Sequence, residues 1–158
     1  NIYLYKHPEL NITILRPCNI AGPGVRNTFS KLLASKAAPV LWGFSPLMQF
    51  IHIDDMRDAI CKAFEKNVPG LYNVAPADYI GFQDAVKKSN CNLIQIPSVP
   101  TALTESISKV MKSDIFPPFL LNYYRYPVII DGNLFEKTFE FKPKKSLEDI
   151  FNYYKGIK

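Results

Sequence analysis

The chain has 158 residues, of which 47% are hydrophobic and 21% charged, and its formal net charge is +5. This composition is typical of a folded globular protein and excludes a disordered or low-complexity chain. Every apolar stretch is shorter than the roughly 20 residues that a membrane-spanning helix needs. We therefore expect residues 1–158 to form a single compact unit that does not cross a membrane.

The basic residues and the cysteines argue against two further classes, nucleic-acid-binding proteins and disulfide-bonded secreted proteins. The Lys and Arg residues are scattered along the chain, which argues against a nucleic-acid-binding surface. The odd number of cysteines, their wide spacing and the lack of a signal-peptide pattern predict reduced thiols in a cytoplasmic protein. The chain opens at Asn1 in the middle of a pattern, so we expect a fragment.

The first elements predict an α/β fold. Asn11 to Leu15 is apolar and rich in β-branched residues, as in a strand of a parallel sheet that is buried on both faces. The prolines and glycines of residues 16–24 then predict a shaped loop. This loop follows the carboxyl end of a strand, where open α/β sheets bind ligands, although an ordinary connecting loop fits equally well.

The next segments alternate between helix and strand. Residues 27–38 have helical spacing and are ended by Pro39. Residues 48–53 predict a strand, which leads directly into a helix that extends to Phe64. Asp55 is the expected N-cap of this helix, and Asp58 stands three residues later in a capping-box relation.

The remaining elements are shorter and less regular. Ser146 is the expected N-cap of the last helix, with Glu148 and Asp149 in its first turn. Residues 115–130 should be mostly core, with a pocket wall around the tyrosines as the alternative. We predict strands at 71–75 and 93–96 and helices at 82–88, 101–111, 131–139 and 146–154.

Motifs that carry chemistry on their own are missing from the sequence. It contains no glycine-rich dinucleotide or phosphate loop, no zinc pattern and no nucleophile elbow. His7 and His52 are far apart, so we predict no metal site. Tyr154 and Lys158 match the spacing Tyr-x-x-x-Lys, but Gly156 lies between them and we interpret the match as chance.

A few polar residues at strand ends are candidates for binding. Asn19 offers a donor and an acceptor in the predicted ligand loop and is the best candidate on local grounds. Arg16 could hold an anion or pair with a carboxylate of the fold. His52 and Asp55 are expected to have structural roles, as a hydrogen-bonded histidine and a helix cap.

Four blocks in order resemble the extended short-chain dehydrogenases, the NAD-dependent epimerase/dehydratase family. They are ILRPCNIAGPG at 14–24, MQFIHIDD at 48–55, PGLYNVA at 69–75, and a tail from Ile130 to Asp149 that contains FEFKP and SLED. The resemblance implies the C-terminal portion of a Rossmann-like parallel sheet plus a small mixed α+β substrate-binding lobe. It covers only the C-terminal half of such an enzyme.

The resemblance also implies roles for individual residues. Pro17 and Cys18 would approach the nicotinamide of NAD or NADP, which the N-terminal half of the same protein would mainly bind. Asn19 would face the substrate. That N-terminal half carries the catalytic tyrosine and lysine of the family, so we assign no catalytic residue here. A homodimer is possible.

Two departures from the family concern the substrate. Members that act on nucleotide sugars usually carry an arginine four residues before the histidine, and this position is Met48. The resemblance also implies a phosphate-binding arginine well before the aspartate matched by Asp131, and the nearest candidate, Arg125, is closer to it than expected. Either Arg26 or Arg125 compensates, or the substrate is not a nucleotide sugar. The candidate substrate contacts are Asn19, Arg26, Gln49 and Arg125.

Two functional hypotheses follow. The first is the substrate-binding portion of an NAD(P)-dependent epimerase, dehydratase or reductase for a sugar-like or other hydroxyl or carbonyl substrate, inactive alone. The second is a non-catalytic binding or regulatory module that kept this fold. A nucleic-acid-binding domain ranks last.

Overall fold

The computed structural model describes residues 6–7, 9–97 and 123–157. Eight strands are found in this part of the chain: β1 (Thr13–Pro17), β2 (Asn19–Ala21), β3 (Ala37–Leu41), β4 (Leu47–Met48), β5 (Phe50–His52), β6 (Gly70–Val74), β7 (Ile80–Gly81) and β8 (Asn92–Ile96). The helices are α1 (Thr28–Ala34), α2 (Ile53–Lys66), α3 (Phe82–Lys88), α4 (Asn133–Phe139) and α5 (Leu147–Gly156).

Three strand pairs are parallel, and one of them, β1 with β6, joins two strands that the sequence predicted. β1 pairs with β6, β2 with β5, and β3 with β8, whereas β4 and β7 are antiparallel. Each parallel pair brings together segments that are far apart in sequence, with helices in the connections. The α/β fold with a parallel sheet and a smaller lobe is confirmed.

The buried side chains form two clusters. One lies among α1, β3, α3 and α5, and its largest members include Phe50, Phe82, Tyr124 and Tyr154. The other lies between β6, α2 and α4, where Phe135 and Phe139 pack edge-on against Tyr72. The first cluster is the core of the lobe, and the second is the core below the β1–β6 pair.

Strand β1 is only partly buried, although its sequence predicts a strand covered on both faces. Its residues are half-buried or exposed. One edge is hydrogen-bonded to β6, and within the described part of the chain no strand pairs with the other edge. The strand therefore has room for a further neighbour.

The helix predicted for 27–38 is shorter, and the reason is a distant pairing. Asn27 is the N-cap, and the helix ends at Ala34. Residues from Ala37 onward form β3, which pairs with β8 more than 50 residues later. Pro39 lies in the middle of β3 rather than at a helix end, where a strand edge without a described partner tolerates its missing N–H.

The start of α2 also differs from the prediction. Its N-cap is His52, whose Nδ1 accepts a hydrogen bond from the Asp54 N–H at 3.1 Å. Asp55 lies in the first turn, buried, and its carboxylate accepts hydrogen bonds from the backbone N–H groups of Lys144 and Lys145, both at 3.0 Å. The predicted capping box is wrong, because Asp58 instead pairs with Lys144.

Other predictions have mixed outcomes. The capping of α5 by Ser146 is confirmed, with Asp149 as the reciprocal partner. Of the tyrosines expected in the core, Tyr124 is buried, whereas Tyr123 and Tyr126 are exposed. The loop predicted for 16–24 contains β2, a strand that the sequence did not indicate. The helix at 101–111 lies outside the described residues.

Candidate functional site

An open cleft of about 350 Å³ lies at the carboxyl end of β1. Cys18, at the end of β1, and Asn19 and Ile20, in β2, form one side of it. The first turn of α1 forms another side, and Tyr123 completes the described lining. Two of the residues implied by the family resemblance, Cys18 and Asn19, are thus brought together in one cleft.

Asn19 is held in place by a hydrogen bond that leaves its acceptor available. Its Nδ2 donates to the backbone carbonyl of Gln49 at 3.0 Å. No protein donor reaches its Oδ1 within the described part of the chain. The amide oxygen can therefore accept a hydrogen bond from a hydroxyl group in the cleft.

Gln49 is buried and does not line this cleft, although it borders another one next to α4. Its Nε2 donates to the Pro76 carbonyl at 2.9 Å, and its Oε1 accepts from the Ile130 N–H at 2.8 Å. The side chain thereby joins the loop after β6 to the segment before α4. These two hydrogen bonds hold the Gln49 side chain in place. The backbone carbonyl of Gln49, which accepts the hydrogen bond from Asn19, is thereby fixed as well.

Cys18 presents a neutral thiol. Burial raises its pKa to about 12, and the nearby Asp78 carboxylate adds to the rise. Its backbone N–H donates to the Val74 carbonyl at 3.0 Å, which fixes it to the end of β6. A neutral thiol at this position adds no charge to the cleft.

The wall formed by α1 was not predicted from the sequence. Asn27, Thr28 and Phe29 line the cleft. Asn27 is the N-cap of α1: its Oδ1 accepts from the Ser30 N–H at 2.8 Å, and its Nδ2 donates to the Ile20 carbonyl at 2.7 Å. An asparagine that follows a Pro/Gly loop and precedes a helical pattern is a recognisable N-cap signal.

The remaining sequence candidates lie elsewhere. Pro17, the last residue of β1, is exposed and does not line the cleft. Arg26 is exposed in the loop before α1, and Arg125 is half-buried beside the buried Tyr124. Met48 is 1% exposed, inside the core of the lobe. The position at which nucleotide-sugar enzymes of the family carry an arginine therefore does not face a ligand in this chain.

The described residues show no other site of stronger chemistry. A second cleft of about 400 Å³ lies between the loop after β6 and α4, and Asp131 and Glu136 line it. The described part of the chain holds no group of side chains that could bind a metal ion, and no helix there could span a membrane. The cleft at the end of β1 is thus the best-placed candidate, because parallel sheets bind ligands at this edge.

Comparisons with known proteins agree with this architecture. Residues 3–75 match the NAD dependent epimerase/dehydratase family. The structure resembles that of RMD from Pseudomonas aeruginosa complexed with NADPH, with a TM-score of 0.69 and 10% identity over 99% of this chain. It also resembles the UDP-glucuronic acid 4-epimerase of Bacillus cereus in complex with UDP-glucuronic acid and NAD, with a TM-score of 0.66 and 19% identity. The predicted resemblance to the C-terminal part of this family is confirmed.

The chain matches only part of each relative. It covers 51% of the Pseudomonas structure and 49% of the Bacillus structure. An uncharacterized protein of Mycobacterium tuberculosis is 21% identical over 96% of this chain, which corresponds to 40% of that protein. An uncharacterized protein of Sinorhizobium fredii is 24% identical over 93% of this chain and 41% of that protein.

Proposed function

We propose that this chain is the substrate-binding portion of an NAD(P)-dependent epimerase, dehydratase or reductase. The observation that carries the proposal is the cleft at the carboxyl end of β1, with Cys18 and Asn19 beside a strand edge that has no described partner. The family match and the NADPH- and NAD-bound structures of the same fold support NAD or NADP as the cofactor.

The unpaired edge of β1 supports a second half of the enzyme as the partner. A shallow, mostly apolar groove runs between β1 and α2, lined among others by Leu15, Ile60 and Phe64. Phe64 is 85% exposed and Ile60 53% exposed. An N-terminal half that added a parallel strand to β1 would satisfy the edge and cover these side chains.

The chain's own residues would bind and orient the substrate. The Asn19 Oδ1 accepts a hydroxyl hydrogen of the substrate, and Phe29 and Tyr123 provide apolar walls. When bound, the nicotinamide cofactor supplies hydride transfer to and from a carbinol carbon.

A sugar-like substrate is part of this proposal. The Bacillus epimerase is described in complex with UDP-glucuronic acid, which provides a probe. Because Met48 is buried, a nucleotide diphosphate would need Arg26 or Arg125 to bind its charge. Substitution of either arginine by alanine, compared by affinity for UDP-glucuronic acid, decides between them.

The proposal is tested with two proteins, the 158-residue chain alone and the same chain preceded by its upstream coding region. We expect nicotinamide-dependent turnover of a hydroxyl or carbonyl substrate only in the longer protein. In that protein, Asn19→Ala should lower the affinity for substrate. Asn92→Ala, an exposed asparagine on β8 that does not line the cleft, is the matched control and should not.

Two results would contradict the proposal. Turnover by the 158-residue chain alone would show that the assumed division between the two halves is wrong. A longer protein that binds neither NAD nor NADP would favour the alternative, a binding or regulatory module with this fold.

A further inference from the structure

The hydroxyl of Tyr154 connects the last helix to the loop that forms the cleft. Tyr154 is 2% exposed in α5, and its hydroxyl donates to the Ser30 Oγ at 2.9 Å. The same oxygen accepts from the Gly22 N–H at 3.0 Å. Both partners are more than 120 residues away in sequence and lie in the β2–α1 region.

The hydrogen bonds continue from Tyr154 to the cleft itself. The Ser30 Oγ donates to the Ile20 carbonyl at 3.5 Å, and the Asn27 Nδ2 donates to the same carbonyl at 2.7 Å. The Tyr154 and Ser30 hydroxyls each accept one hydrogen bond and donate one. The series of hydrogen bonds therefore runs from the Gly22 N–H to the Ile20 carbonyl. Ile20 and Asn27 both line the cleft, and the hydrogen bond from the Asn27 Nδ2 joins them directly.

Gly22 makes this arrangement specific. Its φ of +124° lies in the region that favours glycine, and a Cβ there would lie 3.0 Å from His52 Nε2. The loop can therefore pass close to His52 with its N–H directed at Tyr154. Because that N–H is buried, the tyrosine oxygen is the group that satisfies it.

We propose that Tyr154 is a positioning residue that sets the distance between the two sides of the cleft. Through Gly22 and Ser30 it holds the first turn of α1, with Asn27 and Phe29, in the cleft that Asn19 also lines. The inference rests on the proposed function for its effect on substrate. Its effect on the shape of the cleft does not depend on that function.

The test uses Tyr154→Phe and Ser30→Ala in the longer protein. Tyr153→Phe is the matched control, because Tyr153 packs against Tyr154 with ring centroids 5.1 Å apart and its hydroxyl has no hydrogen bond in the described part of the chain. We expect KM for UDP-glucuronic acid to rise roughly tenfold in each test variant, as the loss of a buried hydrogen bond implies, with kcat changed much less. The control should match the wild type.

A second readout follows the cleft without any ligand. The rate at which a maleimide modifies Cys18, divided by the rate at Cys61, is measured by mass spectrometry. Cys18 lies in the cleft, whereas Cys61 is exposed on α2 and serves as an internal reference. A loosened α1 wall should raise this ratio severalfold in Tyr154→Phe and leave it unchanged in Tyr153→Phe.

The two readouts separate the inference from the proposed function. An unchanged Cys18 ratio in Tyr154→Phe, in a protein that still unfolds cooperatively, overturns the positioning role. A raised ratio in Tyr154→Phe, when the wild-type protein binds no UDP-glucuronic acid, supports the positioning role and contradicts a nucleotide sugar as the substrate. An unchanged KM with a raised ratio limits the role to the shape of the cleft and overturns its effect on substrate.

Discussion

Phe64 provides the sharpest test of the proposed docking of an N-terminal half. In this chain its side chain is 85% exposed on α2, in the groove between β1 and α2. A substitution at such an exposed position usually changes the free energy of unfolding by no more than about 0.5 kcal/mol. If a second half covers Phe64, the same substitution removes a large side chain from a packed interface.

The expected magnitude follows from burial. Truncation of a buried phenylalanine to alanine costs about 3–5 kcal/mol, because transfer free energy is lost and a cavity is left behind. Only the 15% of the side chain that is already covered contributes in the chain alone. We therefore expect Phe64→Ala to lower the free energy of unfolding of the longer protein by about 3 kcal/mol.

The assay is urea denaturation of the longer protein, with the midpoint and the slope fitted separately. Leu134→Ala is the control, because Leu134 is 62% exposed on α4, which packs against β6 rather than at the edge of β1. It should shift the midpoint little. If Phe64→Ala shifts the midpoint no more than Leu134→Ala does, Phe64 stays exposed in the longer protein and the docking surface is wrong.

Three further predictions concern Asp55, Gly132 and the Cys18 thiol. Asp55→Ala should lower the free energy of unfolding by about 3 kcal/mol in chemical denaturation, because a buried carboxylate accepts two backbone N–H groups, and Asp58→Ala should lower it far less. Gly132→Ala should be destabilising in thermal melts, since a Cβ there would lie 2.3 Å from the Ala75 carbonyl oxygen, whereas Gly156→Ala meets nothing within 4 Å and should be tolerated. Cys18 should resist iodoacetamide until the pH approaches 12, because burial raises the pKa of its thiol. Unfolding at higher pH therefore releases a proton from this thiol, so the free energy of unfolding should fall as the pH rises from about 9 towards 12. Alkylation of folded Cys18 at pH 9 as fast as that of the unfolded chain would contradict this.

Features with local causes could be predicted from the sequence. Ser146 and Asp149 form the expected capping box, because both partners lie within one turn. The apolar pattern of β1 correctly predicted a strand, and an open cleft that Asn19 lines is found at its carboxyl end. The spacing of apolar residues also predicted α2 to within a few residues.

Features with distant partners could not be predicted. Residues from Ala37 onward have helical spacing, but their pairing with β8 makes them a strand. Asp55 looks like an N-cap, yet its carboxylate binds backbone groups almost 90 residues later. The sequence suggests Gln49 as a substrate contact, and only the structure shows that its side chain binds the Pro76 carbonyl and the Ile130 N–H.

Tyr154 illustrates the difference between the two levels. By itself, the sequence determined a parallel α/β chain, because apolar periodicity, turn residues and caps act over a few positions. The tertiary structure alone decided that the last helix brings a hydroxyl to Gly22 and Ser30. Such a contact depends on how separate elements pack together, and no local pattern within the chain encodes that packing.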